Sequence, residues 1–251
     1  MNTPRSAESG ITMVEVLVAS VVGALVLAGT FRLWKSNHEE GYRIQKKTEL
    51  RDMMALSSKR IQRSITLAGL GIDRAPTLAK SDAVGSDTLF LFTNESEQKS
   101  AALSDLIQGQ SYVQVGNTSI FHGIGYLVIS NGSRGEVHAI EHIEGSMVTL
   151  REPLKGEYSM TATTLFPARR EAYFTDQQGS RLIRMVDGTS RVIAENIRNF
   201  QVSFRDSRGA STEDAAATRT VHFSFTGEYP ARPGSLSSVV FSSTAIPRNV
   251  L

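Results

Sequence analysis

Cysteine is absent from the 251-residue chain, which excludes disulfide bonds and thiolate metal sites. An excess of charge of either sign is also lacking, because 27 basic and 25 acidic residues leave a formal net charge of +2. No field of the whole protein therefore attracts nucleic acid or an anionic lipid surface. With 40% hydrophobic and 21% charged residues, the composition is typical of a folded chain with a sizeable core.

Charge is scarcest near the N-terminus, where residues 11–31 contain a single ionisable side chain, that of Glu15. An apolar helix of about 20 residues is long enough to cross a bilayer. A charged group costs roughly 2.5–3.5 kcal/mol near the bilayer centre and less near the interface, so it persists mainly where a partner neutralises it. We therefore expect a membrane-spanning helix in which Glu15 meets a cation.

A new amino terminus would supply that cation. Cleavage after Gly10 would place an ammonium group on Ile11, about one helical turn from Glu15. Pairing within one chain is strained at a helix start, whereas in two staggered chains each ammonium can meet the carboxylate of its neighbour. The pattern therefore predicts a helix through which copies of such chains assemble.

Gly10, Ile11, Thr12 and Glu15 resemble the signature of type IV prepilins and pseudopilins: a polar leader, glycine, an apolar residue, and glutamate at mature position five. Ile11 stands where phenylalanine or methionine is commoner. The resemblance implies cleavage after Gly10 by a membrane-embedded prepilin peptidase, N-methylation of Ile11, and register between subunits set by Glu15. It also implies contacts with the major pilin and other minor pilins through the N-terminal helix.

Two simpler interpretations of this segment are a secretory signal peptide and a plain membrane anchor. The apolar run is longer than that of a signal peptide and continues into a charged stretch. A plain anchor explains the length but gives Glu15 no purpose. The flanking charges, Arg5 before the run and Arg32 and Lys35 after it, oppose the positive-inside rule for a cytoplasmic start, although long domains translocate largely regardless of charge.

The helix is expected to continue beyond the apolar run, because residues 35–68 contain no proline and one glycine, Gly41. Apolar residues recur there at helical spacing and should face a folded domain: Leu50, Met53, Met54, Ile61, Ile65 and Ala68. One helix over residues 11–67 is predicted. The chain then divides into a leader (1–10), a membrane or filament-core helix (11–34), its amphipathic continuation (35–68) and a β-rich head (69–251).

From Thr88 onward, short runs rich in Val, Ile, Phe and Thr predict strands. We expect hairpin turns at Asn131-Gly132, Glu144-Gly145, Asp187-Gly188 and Arg208-Gly209, and loops at 94–109 and 210–218. The predicted strands are 88–93, 125–130, 137–143, 147–151, 161–166, 171–174, 181–185, 200–204, 220–225 and 239–243. The fold class is α+β, with the long helix packed on an antiparallel head.

The order of elements in the head resembles minor pilins of the PilW type, with pseudopilin J of type II secretion as a related protein. The likeness runs through residues 126–130, 148–150, 173–174, 181–182, 197–204 and 246–249. It implies a low-abundance subunit of the tip or initiation complex, which primes polymerisation. Before assembly such a chain crosses the inner membrane once with its head in the periplasm, and afterwards it lies at the pilus tip.

Residues 138–142 spell H-x-x-E-H, a pattern that in zinc peptidases indicates an enzyme. That chemistry needs a helix, in which His138 and His142 share a face. In a strand they lie about 13 Å apart and cannot share an ion. Gly135, Gly145 and the β-branched residues between them favour a strand, with both histidines facing solvent. The chain is therefore predicted not to be an enzyme and to need no metal or cofactor.

Two binding functions of the head stay open as alternatives. Interleaved basic and aromatic residues could bind single-stranded DNA, as in a DNA-uptake pilin: Phe166, Arg169, Arg170, Tyr173, Arg181 and Arg184. Asp206, Glu213 and Asp214 could ligate calcium but lack the spacing of a calcium loop. A minor pseudopilin of a type II secretion system and a tip adhesin are the remaining alternatives to a minor pilin.

Overall fold

A computed structural model describes residues 12–72, 77–83, 86–176, 178, 180–214, 217–232 and 234–248. The chain divides into two compact units, Met1–Thr48 and Glu49–Leu251. One helix, α1, spans Met13–Leu67 and contains the point of division. The prediction of a long N-terminal helix and a β-rich antiparallel domain is confirmed, and the fold is α+β. The domain limits at residues 10, 34 and 68 stay a prediction.

In the first unit, the described chain is helical from Met13 onward, and its residues 13–31 are apolar on every side apart from Glu15. All residues from 12 to 42 are exposed. A helix that is apolar all round is normally buried in a core or a membrane. This part of α1 therefore lacks, within the described chain, the protein surface that would cover it.

In the second unit, residues 49–67 of α1 pack on the sheets. Leu50, Met54, Ile61 and Ile65 are fully buried and Met53 is partly buried, so the predicted apolar stripe is confirmed. Three serines are buried on the same part of the helix. Small side chains allow the helix to approach the strands closely, and two of these serines, Ser57 and Ser64, donate hydrogen bonds to residues of the sheet.

The strands of the second unit are all antiparallel and are numbered in chain order. They are β1 (Leu78–Ala83), β2 (Ser86–Thr93), β3 (Ser100–Ala101), β4 (Tyr112–Gln114), β5 (Tyr126–Ser130), β6 (Gly135–Glu144), β7 (Met147–Leu150), β8 (Thr164–Asp176), β9 (Arg181–Val186), β10 (Thr189–Glu195), β11 (Ile197–Arg205), β12 (Ser211–Thr212), β13 (Thr220–Arg232) and β14 (Ser235–Ala245).

Ten strands form one sheet and four form another. The larger sheet has the order β1-β2-β8-β5-β6-β7-β4, with β3 and β9 also beside β8 and with β10 beside β9. The smaller sheet has the order β12-β11-β13-β14. Strand β8 organises the larger sheet because its first half pairs with β5 and its second half with β2 and β9.

The four glycine turns join neighbouring antiparallel strands as predicted. At the β9–β10 turn both Asp187 and Gly188 have positive φ, of 47° and 87°, which is the geometry of a type I′ hairpin. The separate strands predicted at 161–166 and 171–174 are wrong, because β8 runs through both. Pro167, Arg169 and Arg170 interrupt the apolar pattern there without ending the strand. Strands β1, β3, β4, β10 and β12 were not predicted.

Three apolar clusters fill the second unit. The largest lies between α1, the β1–β2 and β8–β10 part of the larger sheet, and the smaller sheet, and includes Tyr173, Phe200, Phe223 and Phe225. A second cluster lies under β4–β7 and the loop residues Leu106 and Leu154. Since Leu106 is buried, the predicted loop 94–109 packs against the sheet, and it also contains the short strand β3.

Candidate functional site: the first turn of the helix

Thr12 and Glu15 form a reciprocal pair at the start of α1. The backbone N–H of Thr12 donates to Oε2 of Glu15 at 2.9 Å, and the backbone N–H of Glu15 donates to Oγ1 of Thr12 at 3.4 Å. This arrangement is a capping box, which satisfies two backbone N–H groups that have no partner inside the helix. The T-x-x-E spacing is the sequence signal for it, which the prediction of a charge pair at Glu15 does not include.

The capping box fixes the position of the Glu15 carboxylate. Within the described residues, no partner is seen for its second oxygen, Oε1, which therefore remains available to a cation. Gly10 and Ile11, the predicted cleavage and methylation residues, lie outside the described residues. The roles of Gly10, Ile11 and Glu15 in processing and assembly stay predictions.

The helix that follows Glu15 suits a hydrocarbon environment. It is long and apolar enough to cross a membrane, and its large side chains, such as Leu17, Leu25 and Leu27, point outward without cover. Its polar side chains are satisfied internally, since Ser20 donates to the Val16 carbonyl at 2.8 Å and Thr30 donates to the Val26 carbonyl at 3.0 Å. Lipid offers no hydrogen bonds, so such internal bonds lower the cost of insertion.

The apolar segment ends in aromatic residues followed by ion pairs. The rings of Phe31 and Trp34 lie 5.9 Å apart, and Trp34 stacks on His38 at 5.5 Å. Lys35 then lies 3.9 Å from Glu39, one helical turn further on. Aromatic residues beside charged ones are typical of the membrane–water interface. The span suggested by this pattern runs from the first turn to about Trp34.

The H-x-x-E-H residues lie on β6, so the predicted strand is confirmed. The prediction that both histidines face solvent is wrong for His138, whose residue exposure is 3%, and His142 is exposed. A hydrogen bond of 2.8 Å between Nε2 of His138 and Glu136, two residues away on the same face, offsets part of the cost of burying the ring. Two polar residues at alternate positions of a strand can thus form a hydrogen bond that allows one of them to be buried. A pattern of polar residues in the sequence does not indicate this.

Glu136 is the centre of a small polar cluster. Burial alone would raise the pKa of Glu136, but hydrogen bonds from the Lys155 amide, His138 and the Tyr158 hydroxyl outweigh burial and lower it. Burial, together with the charge of Glu136, raises the pKa of Tyr158, so its hydroxyl stays protonated as a donor. The cluster fastens the segment after β7 to β6.

A second carboxylate joins α1 to the larger sheet. Glu171 on β8 accepts hydrogen bonds from Ser64 of α1 at 3.1 Å and from the hydroxyl of Tyr173 at 2.6 Å, and pairs with Arg184 of β9. Burial and the neighbouring Glu171 charge raise the pKa of Tyr173, which keeps that hydroxyl a donor. The group has a structural role between helix and sheet.

The basic and aromatic residues that suggested DNA binding lie on the paired strands β8 and β9, where several of them are buried or have other partners. Phe166 and Tyr173 are buried and are not accessible to bases. Arg170 lies over the rings of Phe90 and Tyr126, with centroid distances of 5.4 and 4.9 Å, and Arg169 lies 3.6 Å from Asp187. DNA binding by the head stays a prediction, and the positions of these residues do not support it.

Of the three carboxylates that suggested calcium binding, Asp206 lies in the turn between β11 and β12, and Glu213 and Asp214 follow β12. Asp206 Oδ1 accepts hydrogen bonds from the amides of Arg208 at 2.8 Å and Ala210 at 2.9 Å, between β11 and β12. In the part of the chain that the structure describes, no three His, Asp or Glu side chains lie close enough to hold a metal ion. Asp206 therefore has a local structural use.

Comparison with known proteins locates a defined motif at the same place as the capping box. Residues 5–31 match the family model of the prokaryotic N-terminal methylation motif. No curated protein sequence matches the chain. The matched range contains Gly10, Ile11, Thr12, Glu15 and most of the apolar helix. The chain thus carries the N-terminal signal of a type IV prepilin-like protein, which supports a pilin-like or pseudopilin function and a membrane anchor.

Proposed function

We propose that the chain is a minor pilin of a type IV pilus, of the PilW type, and part of the tip complex that primes pilus assembly. The observation that carries the proposal is the uncovered apolar helix whose single charge, Glu15, is held in its first turn with one oxygen available. A helix of this kind needs both an apolar environment and a cation. A filament of staggered subunits supplies both.

Processing comes first in the proposed sequence of events. The chain enters the inner membrane with its head in the periplasm, and prepilin peptidase cleaves the bond after Gly10. Glycine at this position lets the peptidase approach the backbone closely. N-methylation of Ile11 follows. The new ammonium group of one subunit then meets Oε1 of Glu15 in its neighbour, whose other oxygen is already used by Thr12.

The minor-pilin assignment is supported by the head. Segments that carry the likeness to PilW-type proteins fall on regular elements: residues 126–130 form β5 and residues 197–204 lie in β11. Among the described residues, those of the segment at 246–248 directly follow β14. The proposed partners are the other minor pilins and the major pilin, reached through the N-terminal helix.

The first experiment is mass spectrometry of the N-terminus of the membrane-extracted protein, from cells with and without prepilin peptidase. A chain that begins at N-methylated Ile11 only when the peptidase is present is the expected result. A Gly10→Leu variant should keep residues 1–10 in both strains, because a side chain at that position blocks the approach of the peptidase. Retention of residues 1–10 by the unaltered chain in both strains would mean a plain membrane anchor.

A second experiment separates the pilus from a secretion system. Deletion of the protein should abolish or sharply reduce surface pili, and expression of the chain should restore them. A Glu15→Val chain is the matched control, because it should be made and inserted without restoring pili. Loss of enzyme export with normal pili would instead assign the chain to a type II secretion pseudopilus and contradict the proposal.

A further inference from the structure

A groove in the second unit is lined by the C-terminal part of α1 and by the larger sheet. Its volume is about 450 Å³. Strands β8 and β9 contribute Glu171 and Arg184, and Glu95 lies just after the end of β2. We call this feature the basic groove. The residues that α1 contributes include Leu56, Lys59, Arg60, Arg63 and Leu67.

The groove residues of α1 form one stripe along the helix. Residues three and four apart are neighbours on a helix surface, and each of positions 56, 59, 60, 63 and 67 lies three or four residues from another. Leu56 and Leu67 lie at the two ends, eleven rises of 1.5 Å, or about 16 Å, apart. Leu56 is 65% exposed and Leu67 is partly buried. The stripe therefore places three cations between two aliphatic side chains.

The side chains of these three cations have no partner among the residues that the structure describes. Lys59, Arg60 and Arg63 are exposed, and none of their side chains forms an ion pair or a hydrogen bond within the described ranges. The last turn of α1, where a cation would interact with the helix dipole, contains no basic residue. Neither an acidic neighbour nor the end of the helix therefore accounts for these charges.

The excess positive charge of the chain is equal to that of the basic groove. Four cations and two carboxylates give the lining a net charge of +2, which is also the formal net charge of the whole chain. Glu171 does not neutralise the helix cations, because it already pairs with Arg184 and accepts hydrogen bonds from Ser64 and Tyr173. An anion in the groove would lower the repulsion among the cations of the stripe.

The lining favours a protein segment over a nucleic acid. Single-stranded nucleic acid binds by stacking its bases on aromatic rings, and no aromatic side chain is among the described residues of the lining. Glu95 and Glu171 would repel a backbone that carries a charge on every phosphate. Leu56 and Leu67, by contrast, can contact the aliphatic side chains of a protein.

We propose that the basic groove binds an acidic segment of a different protein, in which carboxylates lie between aliphatic residues. Arginine binds a carboxylate through two parallel N–H donors, and clusters of arginine are a recurring means of recognising acidic segments. Arg60 and Arg63 hold the carboxylates, with Lys59 as a third charge. Leu56 and Leu67 contact the aliphatic residues at the two ends, so the bound part of the partner is about 16 Å long.

A peptide with the sequence LAAEEAAEAAAL is a suitable probe, because its leucines and glutamates repeat the spacing of the stripe. In either direction along α1, at least two glutamates of a helical peptide lie opposite cations. The labelled, acetylated and amidated peptide is titrated with the full chain in uncharged detergent micelles, and fluorescence anisotropy is measured. Saturable binding that weakens with added salt is expected. A peptide with glutamine in place of each glutamate should bind at least about tenfold more weakly.

Arg63→Glu in the full chain should weaken binding of the glutamate peptide by about tenfold or more, because it removes a cation and adds a repelling charge. Arg51→Glu is the matched control, since Arg51 is exposed on the same helix outside the lining, and binding should be unchanged. Arg60→Glu is a second test in case Arg63→Glu melts early by circular dichroism. Equal weakening by Arg51→Glu would mean that overall charge attracts the peptide, which would overturn the proposal.

Competition tests the chemistry of the partner. An unlabelled oligothymidylate with as many charges as the glutamate peptide should not displace that peptide at equal concentration. Displacement by the oligonucleotide would assign the groove to nucleic acid, and equally tight binding of the glutamine peptide would mean that the leucines alone cause binding. Either result, or the absence of saturable binding, would overturn the acidic partner.

Discussion

The carboxylate of Glu15 has two tasks. Together with Thr12 it caps the start of the helix, and it places a charge in an apolar segment. One oxygen of Glu15 accepts the Thr12 amide, and the other is available. Loss of a capping interaction typically costs about 1 kcal/mol. Loss of the charge removes the proposed pairing with a neighbouring subunit. The two tasks can be separated because glutamine also serves at this position of a capping box.

Glu15→Gln is therefore expected to be cleaved and inserted normally but to enter filaments about tenfold less, a loss of roughly 1.4 kcal/mol. Glu15→Val should be defective to a similar or greater extent, since it also loses the cap. Incorporation is measured by immunoblotting of sheared pili against total membrane protein. If Glu15→Gln enters filaments normally and Glu15→Val does not, the cap and not the charge is what assembly requires.

Glu136 makes the stability of the second unit depend on acid pH. Its hydrogen bonds lower the pKa of Glu136 below the ordinary value of 4.5. The free energy that the ionised carboxylate contributes to folding is therefore fully present above pH 4.5. The contribution is lost as the pH falls below 4.5 through the lower pKa of the folded state. Lys155, His138 and Tyr158 lose their acceptor charge when the carboxyl is protonated.

Glu136→Gln should lower the free energy of unfolding by about 1–3 kcal/mol at pH 7, because three donors lose a charged acceptor. The difference from the unaltered protein should shrink as the pH falls below 4.5. Denaturant unfolding followed by fluorescence between pH 7 and pH 3 checks this. Glu141→Gln, an exposed change on the same strand, is the control. A difference that is constant over this pH range would contradict the account of Glu136.

At the scale of elements, α1 reaches the sheets because β13 has no side chain where the helix crosses it. A Cβ on Gly227 would lie 2.8 Å from the sulfur of Met54 and 3.0 Å from both methyl groups of Leu50. Both side chains are buried, so they have little room to move. Gly227 therefore sets the distance between helix and sheet.

Gly227→Ala should destabilise the second unit by about 1–3 kcal/mol, the usual cost of overpacking a core. Gly125→Ala is the control, because a Cβ there would have no atom within 4 Å. A double-mutant cycle with Met54→Ala should show non-additivity, since the smaller side chain makes room for the added methyl group. The readout is chemical denaturation, and additive effects would mean that the two residues do not share the contact.

The elements that the sequence predicted well are those with a strong periodic signal. The apolar run, the stripe from Leu50 to Ile65 and the glycine turns led to the helix and the main hairpins. Strand β1 was missed because its sequence, LAKSDA, has no β-branched residue. The capping box and the burial of His138 were missed because each depends on a partner, Glu15 or Glu136, rather than on the residue alone. Pairing between polar groups is set by geometry, which composition and periodicity do not record.

At the scale of the whole molecule, the folded unit that contains the sheets begins inside α1 and not at an end of the helix. The largest core contains Leu50, Met54, Ile61 and Ile65 of α1 beside the aromatic residues of the smaller sheet. The described residues 12–42 are all exposed. The helix from Leu50 to Ile65 is thus part of the core of the head, whereas its residues 13–42 contribute no buried residue.

A chain of residues 49–251 should therefore fold without the apolar segment, and a chain of residues 69–251 should not. Removal of a buried Leu, Ile or Met side chain typically costs 2–5 kcal/mol, and four such losses amount to roughly 8–20 kcal/mol. That sum is comparable to or larger than the total stability of an ordinary domain, about 5–15 kcal/mol. The shorter chain would also expose the aromatic face of the smaller sheet.

Size-exclusion chromatography and thermal unfolding by circular dichroism check both chains. Residues 49–251 should be soluble with one cooperative transition, and residues 69–251 should aggregate or unfold without cooperativity. A cooperative transition in 69–251 would show that the sheets form their core without α1.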